Sequence, residues 1–331
     1  MDLTLITRLI DSRIGGIGTY SQHVFNGFKK CPDINLKLIS QENSVLSYDD
    51  NPLKYFFYSF MELKWILNKR EYKNSDVFHA LSPMECIHSD KSKTVVTIHD
   101  VYDIDEYKSI PEKIMVKSIK EAIKCERIVL NKWELLEPLR KYGKFDEDKI
   151  TIFGPAISGE FYPKPKDNEI FTVGTIARLD PRKRNDILIK SFLDADMENS
   201  QLLIAGKGSE LEKLKRVAKG DERIKFLGFI PDNEVNNFYN SLDVFVFPSL
   251  FEGYGMPIVE AMACEKPVIT LEDSEITKDV KERTYVCSKE DLANVLRDRT
   301  YKCDIEGNVE FFKEHSIEKR AKQFYDIYKE I

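Results

Sequence analysis

The stretch 243–270, DVFVFPSLFEGYGMPIVEAMACEKPVIT, joins an apolar run to a glycine-rich loop and a second apolar segment. We predict a buried strand over 243–247, then a loop, then a helix that begins near Pro257, because proline suits the first helical turn. The loop carries Glu252, Gly253, Tyr254 and Gly255. The first amides of a helix have no internal acceptors and lie at the positive end of its dipole. This stretch therefore predicts a phosphate-binding site.

Two glutamates flank the start of that helix, and both can bind hydroxyl groups. Glu260 lies one turn into the predicted helix, where an acidic side chain can accept hydrogen bonds from ribose hydroxyls. Glu252 lies on the loop, where it can hydrogen-bond the hydroxyls of a sugar. The alternative is a structural strand–loop–helix connection with ordinary surface glutamates, and for one such motif alone that alternative is the commoner outcome.

A basic loop follows the first strand of the same half of the chain, in GTIARLDPRKRND. The carboxyl ends of parallel strands meet at one edge of a sheet. We therefore expect Arg178 and Lys183 to face the loop that carries Glu252, which we call the glutamate loop. Arginine and lysine together can neutralise a pyrophosphate leaving group without a metal. The alternative is a solvated basic loop, since Arg182 and Arg184 lie alongside.

The first half of the chain offers weaker candidates. Gly15 and Gly16 lie in the first strand-to-helix turn, in a pattern that resembles a dinucleotide fingerprint without its last glycine spacing. His99 ends the predicted strand TVVTIHD, where a ligand contact and a structural role both stay open. The other histidines considered have no comparable setting and are interpreted as structural or exposed: His23, His79 and His88.

Short apolar runs alternate with amphipathic stretches, and the alternation restarts after residue 169. Strands are predicted at 2–7, 34–40, 76–80, 94–98, 126–130, 149–153, 171–176, 201–205, 224–228, 243–247 and 267–270. Helical stretches include 17–30, 110–124, 132–142 and 316–331. Apolar strands that are each followed by a helix are typical of parallel sheets covered on both faces. Two such series predict an α/β protein with two doubly wound domains, joined near 155–168.

Composition narrows the class of protein. Lys and Arg number 50 and Asp and Glu 56, and the net charge of −6 argues mildly against a nucleic-acid binder. The six cysteines include no CxxC pair, so zinc-finger spacing is absent and we expect reduced thiols in the cytosol. The start of the chain does not have the pattern of a signal peptide, and no run reaches the ~20 apolar residues of a membrane-spanning helix.

Taken together, the motifs resemble those of retaining glycosyltransferase family 4, the glycogen-synthase-like glycosyltransferases with the GT-B fold. The likeness is strongest over 172–270 and follows the family's order. The segments that carry it are PSLFEGYGMPIVEAMACEKPVI, GTIARLDPRKRNDILIKSF, LLIAGKGSE, IKFLGFIPDNEV, GGIGTYSQHV and TIHD.

The resemblance implies a domain plan. It implies two Rossmann-like domains facing across a cleft, with 1–160 on the acceptor side and 169–310 binding the donor, a nucleotide sugar. The helix in 311–331 would return to the first domain. Domain closure would then exclude water from the site.

The resemblance also implies roles for individual residues. Arg178 and Lys183 would hold the donor diphosphate, Glu260 the ribose and Glu252 the transferred sugar. The residues implied in catalysis are His99, Glu252, Arg178 and Lys183. The remaining donor contacts would come from Gly15, Gly16, Phe229, Pro231, Gly253, Tyr254, Gly255 and Met256.

The implied reaction transfers a hexose, with mannose or glucose expected, from a UDP- or GDP-sugar to a glycan or lipid-linked acceptor, with retention of configuration. No cofactor or essential metal is implied. A sugar-nucleotide epimerase and a non-catalytic nucleotide-sugar binding subunit are the alternatives. Three departures concern the acceptor and sugar pockets: Glu265 replaces a usual glycine, the connection after strand 267–270 is short and rich in charge, and Asn131 replaces a usual serine.

Two further features concern metals and membranes. Asp103 and Asp105 form a DxD triplet, the metal-binding signature of the other large glycosyltransferase fold, which the two-domain pattern does not fit. The stretch 51–72 places aromatic residues beside lysines, which suits either core packing or contact with a membrane surface. We expect a cytoplasmic protein that can lie at the inner face of the membrane.

Overall fold

The computed structural model describes residues 1–8, 10, 16–41, 58–101, 110–157, 161–165 and 169–331. The chain divides into two compact units. Unit 1 comprises Met1–Ile157 and His315–Ile331, and unit 2 comprises Ser158–Glu314. Each unit contains one six-stranded parallel sheet with helices in the connections. The predicted α/β fold class is therefore confirmed.

The sheet of unit 1 has the strand order β2-β1-β3-β4-β5-β6. Every residue of the two central strands, β3 and β4, is buried, which explains their near-continuous apolar sequences. The strands are β1 Asp2–Ile6, β2 Asn35–Ile39, β3 Val77–Ala80, β4 Thr94–Ile98, β5 Arg127–Leu130 and β6 Ile150–Ile152. The helices that connect them are α1 Gly16–Lys29, α2 Leu63–Leu67, α3 Arg70–Lys73, α4 Ile110–Ala122 and α5 Leu136–Arg140.

The sheet of unit 2 has the order β12-β11-β10-β7-β8-β9. The chain first builds β7, β8 and β9 outward and then returns to the other side of β7, so the strand order reverses between β7 and β10. The strands are β7 Phe171–Ile176, β8 Ser200–Ala205, β9 Ile224–Gly228, β10 Val244–Phe247, β11 Val268–Leu271 and β12 Tyr285–Cys287. The helices are α6 Asn185–Ala195, α7 Leu211–Val217, α8 Asp232–Asn240, α9 Met256–Ala263, α10 Lys278–Lys281, α11 Leu292–Asp298 and α12 Ile305–Glu314.

The last helix, α13 Ile317–Tyr328, packs in unit 1. Its start is fixed by the Ser316 hydroxyl, which accepts from the Lys319 amide. It also lies close to α1, because a Cβ added to Gly27 would come within 2.9 Å of Ile317 Cγ1. The Tyr328 hydroxyl lies 2.6 Å from Nδ1 of His79 in the core. Unit 1 is thus assembled from both ends of the chain.

His79 is a structural histidine, as interpreted from the sequence. Its Nε2 lies 2.9 Å from the Thr97 hydroxyl, so the ring links β3, β4 and α13. Full burial lowers its pKa to about 3, so the ring is neutral at physiological pH.

Four of the cysteines are buried and two are partly buried, and all six are free. Within the described ranges, no helix has the length and hydropathy needed to cross a membrane.

Candidate active site

The carboxyl ends of β7 and β10 form the edge at which the predicted residues of unit 2 meet. The two strands are neighbours, with Val173 opposite Val244. A reversal of strand order is the usual ligand site of an open α/β sheet. The loops after these strands touch. The Leu250 amide donates to the Arg182 carbonyl at 2.8 Å, and Arg182 Nη1 donates to the Phe251 carbonyl at 2.8 Å.

Lys183 and Glu252 form a buried ion pair between the two loops. The Lys183 ammonium donates to Oε1 of Glu252, and the side chains are 8% and 11% exposed. The Ser249 hydroxyl donates to the same oxygen, and Nζ of Lys183 lies 5.0 Å from the centroid of the Phe247 ring. Burial lowers the pKa of Lys183, and the Glu252 carboxylate partly offsets this effect.

The glutamate loop is held by hydrogen bonds to the segment of chain that follows β11. The Glu252 amide donates to the Glu275 carbonyl at 2.9 Å, and the Thr277 hydroxyl donates to the Gly253 carbonyl at 3.1 Å. The buried Tyr254 donates its hydroxyl to Asp279 Oδ2 at 3.3 Å. These bonds fix the chain immediately before α9.

Helix α9 begins where the sequence predicts. Gly255 precedes its first residue, Met256, with φ of 94°, a conformation that favours glycine. Pro257 follows in the first turn. The helix therefore starts abruptly, directly after the glutamate loop, and its first turn is the predicted phosphate-binding element.

Glu260 lies one turn into α9 and is partly buried. The Tyr239 hydroxyl, on α8, donates to its Oε2 at 2.7 Å. Burial raises the pKa of the Glu260 carboxyl to about 7, and the nearby Asp232 raises it further, whereas the hydrogen bond from Tyr239 lowers it. The carboxyl therefore changes charge near neutral pH.

Arg178 follows β7 and is exposed. Its carbonyl accepts from the Asp180 amide at 2.9 Å. Its guanidinium makes no ion pair or hydrogen bond with any residue that the structure describes, so its charge is available to a ligand. Its loop is packed tightly against the turn after β8: a Cβ on Gly206 would lie 1.8 Å from the Ala177 carbonyl oxygen, and one on Gly208 would lie 2.1 Å from that of Leu179. Both glycines are thus required to hold the loop that carries Arg178.

Arg184 has a role that sequence reasoning missed. The sequence offers a solvated basic loop as the alternative for this segment, yet the side chain of Arg184 is only 14% exposed. It donates to the Pro248 carbonyl at 2.7 Å and to Asp273 Oδ2 at 2.7 Å, and its Nη2 lies 3.2 Å from the Ser274 hydroxyl. Arg184 joins the turns after β7, β10 and β11. The solvated-loop alternative is wrong for this residue, because its hydrogen-bond partners come from distant parts of the chain.

Phe229 and Pro231 lie beyond β9, on the same carboxyl edge. Phe229 is 46% exposed, and the Lys207 ammonium lies 6.0 Å from its ring centroid. Pro231 is exposed and precedes α8. An exposed aromatic ring beside a cation offers a stacking surface for a planar ligand.

His99 follows β4 in unit 1 and is 8% exposed. Its Nε2 donates to the Leu81 carbonyl at 3.0 Å, and its ring packs edge-on against Tyr20 with centroids 4.6 Å apart. Burial lowers its pKa, opposed by Asp100. The ring is therefore neutral, with Nδ1 left as an acceptor.

The other candidates of unit 1 are only partly described. Gly16 is the first residue of α1. Gly15, Asp103 and Asp105 lie outside the described residues. Across the parts of the chain that are described, no three His, Cys, Asp or Glu side chains are grouped to hold a metal ion.

The structure adds Ser249, Arg184 and Tyr239 to the residues predicted for unit 2. Arg184 and Tyr239 act through contacts with other segments of the chain, whereas Ser249 bonds to Glu252 within the same loop. Ser249 had a detectable signal, since it stands directly after the proline that ends β10.

Comparison with solved structures defines the class of fold. The chain superimposes on sucrose-phosphate synthase from Thermosynechococcus elongatus with a TM-score of 0.76 at 17% identity, covering 99% of this chain and 98% of that one. It superimposes on Anabaena HepE, solved in complex with UDP and glucose, with a TM-score of 0.72 at 15% identity and full coverage of both chains. The fold is the GT-B fold of glycosyltransferases.

Comparison of sequences then shows which proteins unit 2 is similar to. Residues 169–300 match the family "Glycosyl transferases group 1", so the resemblance seen in the motifs is confirmed. The O-antigen chain mannosyltransferase B of Escherichia coli is 25% identical over 223 residues, which span 60% of this chain and 58% of that protein. The chain thus spans little more than half the length of this curated relative.

Proposed function

We propose that the chain is a retaining glycosyltransferase that moves a hexose from a UDP- or GDP-sugar to a glycan or lipid-linked acceptor. One observation carries the proposal. At the point where the strand order of a group 1 domain reverses, an exposed arginine, a buried lysine–glutamate pair and a helix start with a second glutamate lie on one edge of the sheet.

The diphosphate is the part of the donor that this edge suits best. Charge grows on the leaving phosphate as the sugar–oxygen bond breaks, so fixed positive groups at that place lower the barrier. Arg178, Lys183 and the first turn of α9 supply such groups. We therefore propose that the diphosphate is neutralised by the protein and that no metal is essential.

The sugar and ribose would be bound by acceptor groups. Glu252 is fixed by Lys183 and Ser249, so its carboxylate has one orientation in which to receive sugar hydroxyls. Glu260 would receive the ribose hydroxyls. In unit 1, considered by itself, the neutral ring of His99 offers Nδ1 as a hydrogen-bond acceptor.

The names of similar proteins support a hexose as the transferred sugar, but they do not decide between GDP and UDP as its carrier. The relatives include mannosyltransferases of Escherichia coli, whereas HepE was solved with UDP and glucose. We propose mannose or glucose as the sugar, with GDP or UDP as its carrier, and a growing glycan or lipid-linked saccharide as its acceptor.

The direct test incubates the protein with GDP-mannose and with UDP-glucose, each with lipid-linked and soluble oligosaccharide acceptors, with and without EDTA. We expect transfer from one donor, unaffected by EDTA, and a one-bond C1–H1 coupling constant in the product that matches the donor's anomeric configuration. An inverted product would refute retention. Epimer formation without acceptor would favour the epimerase alternative, and tight binding without turnover would favour a binding subunit.

We further propose that residues 58–73 contact an anionic membrane, which would bring the enzyme to a lipid-linked acceptor. Met61 and Trp65 are 63% and 61% exposed on one side of this segment. The Lys69 ammonium lies 4.3 Å from the Trp65 ring centroid, and Lys64 is exposed beside it. Exposed apolar groups flanked by cations suit the interface of an anionic bilayer. The part of the predicted membrane stretch before Tyr58 lies outside the described residues.

Vesicle sedimentation tests this contact. We expect binding to phosphatidylglycerol-containing vesicles and not to pure phosphatidylcholine, and a large loss of binding in Trp65→Ser combined with Lys69→Glu. Trp133→Ser is the matched control, because Trp133 is 69% exposed elsewhere in unit 1. Equal binding by the double variant and the wild type would refute the contact.

A further inference from the structure

The proposed ribose contact depends on a side chain that the family resemblance does not single out. Tyr239 on α8 is fully buried, and its hydroxyl is 2.7 Å from Oε2 of Glu260 on α9. A buried hydroxyl that donates to a carboxylate forms one of the stronger protein hydrogen bonds. This hydrogen bond also fixes Oε2 as the carboxylate oxygen that faces Tyr239.

The ring of Tyr239 has little freedom to move. Its centroid lies 5.8 Å from that of Phe161 and 5.4 Å from that of Phe245, both edge-on. Helix α8 is itself anchored: Asn236 Oδ1 accepts from the Tyr162 amide at 3.1 Å, and Asn240 Nδ2 donates to the Tyr162 carbonyl at 2.9 Å. The hydroxyl is therefore held in place by packing on the ring and on its helix.

The other oxygen of Glu260 is left for a ligand. Among the residues that the structure describes, none hydrogen-bonds to Oε1, and the side chain keeps some exposure at the start of α9. One oxygen is thus occupied by a fixed donor, and the second can accept from a ribose hydroxyl.

We infer that Tyr239 is a positioning residue for nucleotide binding: its hydroxyl orients the Glu260 carboxylate so that Oε1 receives the ribose. This inference rests on the proposed function, because it assumes that Glu260 binds a nucleotide ribose. It assigns no contact between Tyr239 and the ligand.

The Tyr239 hydroxyl also affects the pKa of the Glu260 carboxyl. The titratable groups that act on the Glu260 carboxyl are Tyr239 and Asp232 on α8. The Cys264 thiol, directly after α9, is in turn influenced by Glu260. Burial and Asp232 favour the protonated form of Glu260, and the Tyr239 hydroxyl favours the ionised form. Removal of the hydroxyl therefore raises the pKa of Glu260 and weakens ribose binding most at neutral and lower pH.

The test uses Tyr239→Phe, which keeps the ring, with Tyr301→Phe as a control in the same unit. Calorimetry measures the Kd of UDP and 2′,3′-dideoxy-UDP, and of GDP and 2′,3′-dideoxy-GDP, between pH 6 and 8.5. For the diphosphate that binds, we expect the wild type to prefer the ribose form. In Tyr239→Phe we expect an affinity loss of about tenfold at pH 7 for the ribose form only. The pH below which the affinity for the ribose form decreases should be higher in Tyr239→Phe than in the wild type.

Four results would contradict the inference, and they can be told apart. Binding by Tyr239→Phe with wild-type affinity, ribose preference and pH profile would refute the role of Tyr239 alone. A wild type that binds a diphosphate without ribose preference would refute the ribose role of Glu260. A wild type that binds neither diphosphate would refute the donor proposal itself. A Tyr239→Phe variant with a lower Tm but unchanged ribose preference would show that the hydroxyl is only structural.

Discussion

Lys183 Nζ and Glu252 Oε1 are paired inside unit 2, although the residues stand 69 positions apart in the chain. Because both side chains are largely hidden from water, each charge depends on the other. A bound diphosphate would offer Lys183 a second anion, and a bound sugar would offer Glu252 hydroxyl donors. The pair therefore has the form of a site whose charges are positioned before the ligand arrives.

The first prediction concerns this pair. Glu252→Gln keeps an oxygen to accept from Lys183 and Ser249 but removes the negative charge. We expect turnover to fall by about 100-fold or more, as for other fixed polar groups that act on the transition state, with the circular dichroism spectrum unchanged. Glu275→Gln is the control, because Glu275 pairs with the same loop through its backbone and exposes its side chain. Wild-type turnover in Glu252→Gln would show that the carboxylate has no role in the reaction.

The second prediction separates two neighbouring arginines. Arg178 is exposed, so Arg178→Ala should change the free energy of unfolding by less than ~0.5 kcal/mol but weaken diphosphate binding by about 10- to 100-fold. Arg184 joins three turns, so Arg184→Ala should destabilise unit 2 by about 2 kcal/mol or more. Urea denaturation and calorimetric titration of the same samples measure both effects. A loss of stability in Arg178→Ala together with a loss of diphosphate binding in Arg184→Ala would contradict the roles assigned to the two residues.

The third prediction follows from the raised pKa of Glu260. A carboxyl whose pKa rises from 4.5 in the unfolded chain to about 7 in the folded one stabilises the fold at low pH. That stabilisation is lost as the pH rises through about 7. Glu260→Gln should therefore gain stability relative to the wild type between pH 5 and pH 8, by at most about 3 kcal/mol at ~1.4 kcal/mol per pKa unit.

Denaturant unfolding at the two pH values measures this difference. Glu282→Gln serves as control, because Glu282 is exposed and its carboxylate lies 3.6 Å from the Lys278 ammonium. A stability difference between Glu260→Gln and the wild type that stays constant with pH would contradict the burial of the carboxylate.

The fourth prediction concerns the end of α9. Glu265 has φ of 57°, and its amide donates to the Met262 carbonyl while the Lys266 amide donates to that of Ala261, both at 3.0 Å. This is a Schellman motif, in which glycine is the favoured residue. Glu265→Gly should stabilise the protein by about 1 kcal/mol.

The control for this prediction is Glu265→Ala, which keeps a Cβ in the left-handed conformation and should give little or no gain in Tm. Thermal unfolding compares the two variants. Equal Tm values for the glycine and alanine variants would rule out backbone strain at this position. The replacement of the family's usual glycine by Glu265 therefore concerns how helix α9 ends.

Much of the fold was predictable because parallel strands are apolar and short. The predicted strands 94–98, 171–176 and 224–228 have the observed bounds, and the others differ by one or two residues. Strand β12 was missed: it has three residues, with one exposed and one partly buried, so no apolar run marks it. The predicted helix 132–142 is a 3₁₀ turn at Trp133–Leu135 followed by α5.

The candidate site was predictable only in part, for a physical reason. Topology alone places the loops after β7 and β10 at one edge, so the convergence of Arg178, Lys183 and Glu252 follows from sequence order and parallel strands. Side-chain partners do not follow in this way. Arg184 reaches turns more than sixty positions away, and nothing in the local pattern around Tyr239 marks Glu260 as its partner.

The most direct test of the account is thermal unfolding of the wild type and of Arg178→Ala with UDP, GDP, ADP, CMP and their sugar conjugates, with and without Mg²⁺. At a hundred times the Kd a ligand stabilises by ~2.7 kcal/mol, which gives a measurable rise in Tm. We expect a rise with one base only, equal with and without metal, and much smaller in Arg178→Ala. A well-folded wild type whose Tm no ligand changes, or a rise that Arg178→Ala retains in full, would contradict a nucleotide-sugar site at this edge of unit 2.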